Sequence, residues 1–196
     1  MVSGLWVAAN VSLARRELAA GRPAEAIVRL EAATVYPANL GEGKHLLTQE
    51  NEIQVLLGLA HRAAGALDEA RRWLDRAAAP QGDPAAPIGE SAYWRALALQ
   101  ELGEDAAATG LLGVLLQAAR ARARTSIRID YFATSLPALL LFDEDLDRRN
   151  RIECRYLEGL ALAGLGRAGA GRAFRDVLAL ERTHAGARSR RAELGR

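Results

Sequence analysis

Gly164, Gly166 and Gly169 stand at the spacing of a dinucleotide-binding turn. In that chemistry the glycines follow a strand and open a helix, so that backbone amides can receive a pyrophosphate. Here Arg151 to Leu165 carry a helical pattern instead, and the three glycines read as the turn of a helical hairpin. Gly41, Glu42, Gly43 and Lys44 share letters with a phosphate-binding loop but have neither its spacing nor the hydroxyl residue that follows its lysine. Asp143, Asp145 and Asp147 alternate as calcium ligands do. The sixth position of that loop is Arg148 where calcium binding needs glycine, and the twelfth is Cys154 where it needs glutamate. Acidic residues at a helix start, favoured by the helix dipole, account for the three aspartates.

His45, His61 and His184 lie far apart and have no paired spacing for zinc or for acid–base work. Cys154 is the only cysteine, which excludes an internal disulfide, argues against a Cys-based metal site and fits a core position in a reducing compartment. Arg120, Arg122, Arg124 and Arg128 form the densest basic cluster; on a helix they spread over more than one face and read as a solvated surface, not a nucleic-acid site. No catalytic set, cofactor site or metal site emerges from these residues.

The elements that carry them are helical. Apolar residues make up 50% of the chain but aromatics only 5%, so the apolar content is mostly Ala and Leu, which lose least on entering a helix. Runs that alternate β-branched and polar residues are absent, and no sheet is expected. Formal net charge is +2, and Lys44 is the only lysine among 26 basic residues. That bias reflects a GC-rich genome more than a nucleic-acid partner. The start of the chain lacks the order of a signal peptide, and Arg or Glu interrupts every apolar run before the roughly 18 residues a membrane span needs. A cytoplasmic protein is expected, with neither membrane nor nucleic acid as a partner.

A spacing pattern recurs four times: a glycine, an alanine five residues on, a large apolar residue four further, and a small or apolar residue three beyond that. The copies are Gly21, Ala26, Leu30, Ala33; Gly65, Ala70, Leu74, Ala77; Gly103, Ala108, Leu112, Leu115; and, one residue shorter, Gly166, Ala170, Phe174, Val177. The glycine ends a first helix where positive φ is required, and the other three positions share one face of a second. First helices are expected over Leu5 to Ala20, Asn51 to Ala64, Ser91 to Leu102 and Arg151 to Leu165. Ala14, Gly58, Ala96 and Gly159, seven residues before each glycine, let the paired helices approach closely.

These offsets resemble the signature of the tetratricopeptide repeat, most closely from Val55 through Gly58 to Leu67, Ala70 and Leu74. The resemblance implies an all-α, right-handed α-α superhelix of about four hairpins forming one domain over residues 1–196, with hairpins at about 3–36, 50–79, 89–123 and 148–182. Successive turn glycines are 44, 38 and 63 residues apart, against a period of about 34 in the family. Inserts at about 37–49 and 124–147 take up most of the difference. Pro37, Gly41 and Gly43 mark the first as a structured loop. The second, with Ile127 to Phe132 and Leu136 to Phe142, is too apolar for a solvated loop and reads as an extended second helix followed by an extra one. These inserts are similar to the C-terminal repeat region of large bacterial proteins whose N-terminal part is a carbohydrate-associated domain of unassigned activity.

What the repeat family implies is a non-catalytic scaffold with a protein or peptide in a concave groove lined by the first helices. Carried over by register, the groove residues are Val11 and Arg15; Glu52, Val55, Leu59 and Arg62; Tyr93, Leu97, Gln100 and Glu101; and Glu153, Tyr156 and Leu160. Trp94 is better placed for the core. The narrower resemblance implies an accessory or self-association module of a larger carbohydrate-related protein, whose other domains would be partners too. Self-association as a homo-oligomer is compatible with either, and an enzyme in its own right is the third reading.

Overall fold

The computed structural model describes residues 2–37, 41, 43–44, 48–83, 85–125 and 145–195. Asn39, Leu40 and Glu42 of the first insert, His45, Arg128, Asp143 and the extra helix expected within 127–142 lie outside the described residues. Among those described, the chain is all α. The helices are α1 Val2–Ala19, α2 Pro23–Thr34, α3 Asn51–Ala63, α4 Leu67–Ala78, α5 Glu90–Glu101, α6 Asp105–Arg122, α7 Leu146–Gly164, α8 Ala170–Leu180 and α9 Ala185–Leu194.

Four turns join α1 to α2, α3 to α4, α5 to α6 and α7 to α8, and each is built the same way. Gly21, Gly65, Gly103 and Gly166 take φ of 70°, 81°, 83° and 61°. Each glycine N–H donates to the carbonyl three residues back, and the next residue's N–H donates to the carbonyl five back: Arg22 to Glu17, Ala66 to His61, Glu104 to Leu99 and Arg167 to Leu162, at 2.8–2.9 Å. This doubly bonded stop satisfies carbonyls that a helix end otherwise leaves open and requires the left-handed conformation that a side chain makes costly. Pro23 at the first turn of α2 and Asp68 and Glu69 in the first turn of α4 restart the chain as helix. The three glycines at 164, 166 and 169 are one of these turns, preceded by α7.

All twelve apolar positions of the four copies are buried, from Ala26, Leu30 and Ala33 to Ala170, Phe174 and Val177, and none exceeds 5% exposure. The small residues work as expected where helices cross. A Cβ on Gly58 would meet Leu74 Cγ at 2.7 Å, and one on Gly159 would meet Phe174 Cε1 at 2.7 Å.

The chain divides into two compact units, Met1–Leu111 and Leu112–Arg196, and the division falls within α6. In the first, α1 packs on α2, α2 on α3, α3 on α4 and α4 on α5, around a core that includes Val11, Leu30, Leu56 and Leu57. In the second, α7 packs on α8 and α8 on α9, with Phe174, Leu160, Val177 and Cys154 fully buried.

Three elements go beyond the plain two-helix repeat. α6 runs 18 residues where α2 and α4 run 12, the extension anticipated for the third hairpin. α7 starts at Leu146, five residues before the expected Arg151. Asp145 caps it by accepting from the Arg148 N–H at 2.8 Å, and Asp147 lies in its first turn, so both aspartates belong to a helix start. α9 was not anticipated. It is capped by His184, whose Nδ1 accepts from the Ala187 N–H, and it buries Ala187 and Arg190.

Candidate partner-binding surface

The first helices of three hairpins meet side by side in the first unit, since α3 contacts both α1 and α5. Their polar residues are joined across the seams. Arg15 of α1 donates to Glu52 of α3 at 2.8 Å, and its guanidinium also lies 5.2 Å over the Trp94 ring of α5. Arg62 of α3 pairs with Glu101 of α5. These groups are half-exposed, and such pairs contribute about 0.2–1 kcal/mol each. Their larger effect is to hold charges of both signs at stated places on one face. Leu59, Leu97 and Gln100 are half-buried along the same helices.

Register thus brings Arg15, Glu52, Arg62 and Glu101 together, but it places several apolar residues inside. Val55 is 0% exposed, Tyr93 5% and Val11 7%. Tyr93 packs edge-on against Trp94 at 5.4 Å, so the two aromatics are both core residues, Trp94 as anticipated. The same holds in the second unit. Leu160 is fully buried, and Tyr156, 5% exposed, lies against Phe174 at 6.1 Å and His184 at 4.6 Å. Glu153 is exposed and pairs with Arg122 at 3.3 Å.

A polar junction that register did not bring forward joins α6, α7 and α8. Glu158 accepts from Arg120 at 2.9 Å and from Arg155 at 2.5 Å, and Arg155 reaches on to Asp176 at 2.6 Å. Burial alone would raise the Glu158 carboxyl; the hydrogen bonds and charges of Arg120 and Arg155 outweigh it and hold the group below its ordinary 4.5. Arg155 stays charged, its two carboxylate partners outweighing burial. Cys154, beside this junction, is 1% exposed and donates to Asn150 Oδ1 at 3.3 Å. Burial, the largest influence, raises its thiol and outweighs Arg122, so it is neutral near pH 7 and a poor nucleophile.

The depressed Glu158 carboxyl has a definite sign in pH. Its contribution to stability is complete above about pH 4.5, the unfolded value, and is lost as pH falls through the lower folded value. Glu158→Gln should therefore cost about 1–2 kcal/mol at pH 7. In urea titrations from pH 7 to pH 3 the gap between variant and wild type should narrow only at the acid end. A gap independent of pH would show that the charge is not what the arginines recognise.

Among the described residues no helix is long and apolar enough to cross a membrane, and no group of three or more His, Cys, Asp or Glu could hold a metal ion.

No family model matches the chain. Among solved structures it is similar to one described as "MamA MSR-1 C2", 22% identical over 98% of this chain and 87% of that one, with a TM-score of 0.32. It is also similar to one described as "MamA AMB-1 P212121", 20% identical over 94% of this chain and 76% of that one, with a TM-score of 0.28. Scores this low describe a loose overall likeness, and the all-α hairpin fold stands on the four turns and twelve buried repeat positions of the chain itself.

Proposed function

We propose that the chain is a non-catalytic scaffold that holds a protein or peptide segment against the face of α1, α3 and α5, and that it works in the cytoplasm. The observation that supports this most is the seam of side chains across three successive first helices, Arg15 to Glu52 and Arg62 to Glu101. It keeps both charge signs and half-buried leucines in one register along the surface. Mixed charge beside small apolar steps suits an extended or helical segment, whose polar groups find partners while its apolar side chains leave water. Arg62, Leu97, Gln100 and Glu101 are the contact residues in this reading, with Arg15 and Glu52 positioning charge, while Glu153 lies in the second unit and takes no part in this face. Val55 and Tyr93 shape the face from beneath.

The test is a photo-crosslinking amino acid introduced at position 62 or 97 in the source cells, with controls at Val28 and Leu67, which are exposed on second helices. Adducts to another protein are expected from 62 and 97 and not from 28 and 67. Adducts from the control positions alone would move the binding face elsewhere and sink this assignment.

A second reading, an accessory or self-association module of a larger carbohydrate-related bacterial protein, is supported by the sequence of the inserts, from Tyr36 to Lys44 and from Ile129 to Asn150. The mass of the native gene product, measured with an antibody to this chain, separates the two.

A further inference from the structure

A cleft of about 490 Å³ opens between α6, α7 and α8 in the second unit, with Arg120, Arg124, Arg151, Arg155, Glu158 and Asp176 around it. Its charges do not balance. Glu158 and Asp176 are taken up by Arg120 and Arg155. The side chains of Arg124 and Arg151, both exposed, have no hydrogen-bond or ion-pair partner among the described residues. The end of α6 does not need them either, because Asn150 Nδ2 donates to the Arg122 carbonyl at 3.1 Å and to the Thr125 carbonyl at 3.4 Å. Among the described residues, two guanidinium forks therefore stand at one cleft with their donors unspent, beside two guanidiniums locked by carboxylates. Ala123 and Leu180 add an apolar wall.

A planar fork with parallel N–H groups is matched by an oxyanion that can accept two of them. We propose that this cleft binds an oxyanion, carboxylate or phosphate, carried on a peptide segment of a protein partner, with Arg124 and Arg151 as its principal donors. The size and wall of the cleft fit a few side chains. A chain of formal net charge +2 offers little of the long-range attraction by which nucleic acid is held. The proposal shares with the preceding section the premise that the chain holds a protein segment, but it uses different residues.

The full chain is titrated, with fluorescence anisotropy as readout, into a labelled hexapeptide of alternating glutamate and leucine, the same peptide with phosphoserine for glutamate, and a short single-stranded oligonucleotide. Both peptides should bind; tighter binding of the phosphoserine peptide assigns the oxyanion to phosphate, and equal or weaker binding assigns it to carboxylate. The double variant Arg124→Ala, Arg151→Ala should weaken binding at least about tenfold, with helix content unchanged by circular dichroism. Lysine at both positions should restore part of it, since it keeps the charge and loses the fork. Arg29→Ala, exposed on α2, should leave it unaltered. The proposal is overturned if neither peptide binds, if the double alanine variant binds as wild type does, or if the oligonucleotide binds more tightly with the same arginine dependence. Loss with Arg15→Ala but not with the arginine pair would also overturn it, placing the peptide on the face of α1, α3 and α5.

Discussion

Truncating Phe174 to alanine should lower the unfolding free energy by about 3–5 kcal/mol. The side chain is fully buried. Its ring edge fills the space over Gly159, and its centroid lies 6.1 Å from that of Tyr156. A helix whose knob is removed cannot close the gap by sliding, because α8 is held at one end by the Gly166 turn and bonded by Arg155 to Asp176. The loss should be read by urea titration followed in the far ultraviolet. Tryptophan emission would be the wrong probe, since Trp6, Trp73 and Trp94 all lie in the first unit. A loss below about 1 kcal/mol, the scale of an ordinary surface change, would mean that this crossing collapses around the vacancy and that the α7–α8 contact is not set by Phe174.

The opposite error, too much volume, is expected at the corresponding crossing of the first unit. Gly58→Val would drive its side chain into Leu74 Cγ and Cδ2, which already stand 2.7 and 2.8 Å from the position of a Cβ, with the Ala70 carbonyl oxygen at 3.3 Å behind them. Leucine can rotate, but the backbone of α4 cannot. Overpacking of this kind costs roughly 1–3 kcal/mol, and three added carbons place the variant at the upper end. The informative measurement is the pair. Leu74→Ala alone leaves a cavity and is destabilising, yet combined with Gly58→Val it should recover part of the stability, with a coupling of about 0.5–3 kcal/mol. Strict additivity of the two substitutions would show that they do not meet.

Much of this architecture was legible because its signals are local. A glycine forced to positive φ, followed at fixed offsets by buried residues, is a property of one stretch of chain. The four turns and twelve core positions could therefore be read off directly. The first helices of hairpins two and three were read to within one residue. The unanticipated features depend on weaker or distant cues. The start of α7 at Leu146, ahead of the expected Arg151 although the same aspartates read as a helix start, depends on one cap, Asp145. α9 has a histidine cap and arginine at three of its ten positions, and only packing on α8 reveals its inner side.

The surface was harder to read than the fold. Of the residues carried over by register, Arg15 and Glu52 pair between α1 and α3, and Arg62 and Glu101 between α3 and α5, since long charged side chains reach water from most positions. Val55 on α3 and Tyr93 on α5 follow the same periodicity, but α3 is flanked by α1 and α5 as well as by α4, and α5 by α3 and α4, so their apolar positions are covered on several sides. A single helical period cannot say which sides those are. Arg120 and Arg124 were visible as a cluster. Their convergence with Arg151 and Arg155 joins residues about 30 apart, and nothing in either stretch announces the other.

The fit of Gly58 with Leu74 and of Gly159 with Phe174 also bears on how such a chain can change over generations. Neither member of a pair is constrained by itself; what is constrained is their joint bulk at the crossing. A larger residue at the first position is tolerable only after the second has shrunk. The permitted route runs through an intermediate with a void, not through one with a collision, because a void between helices is survivable in a stable background. Homologous chains should therefore inherit these two positions as matched sizes, small with large, and the order of replacement along a lineage should be shrinkage first.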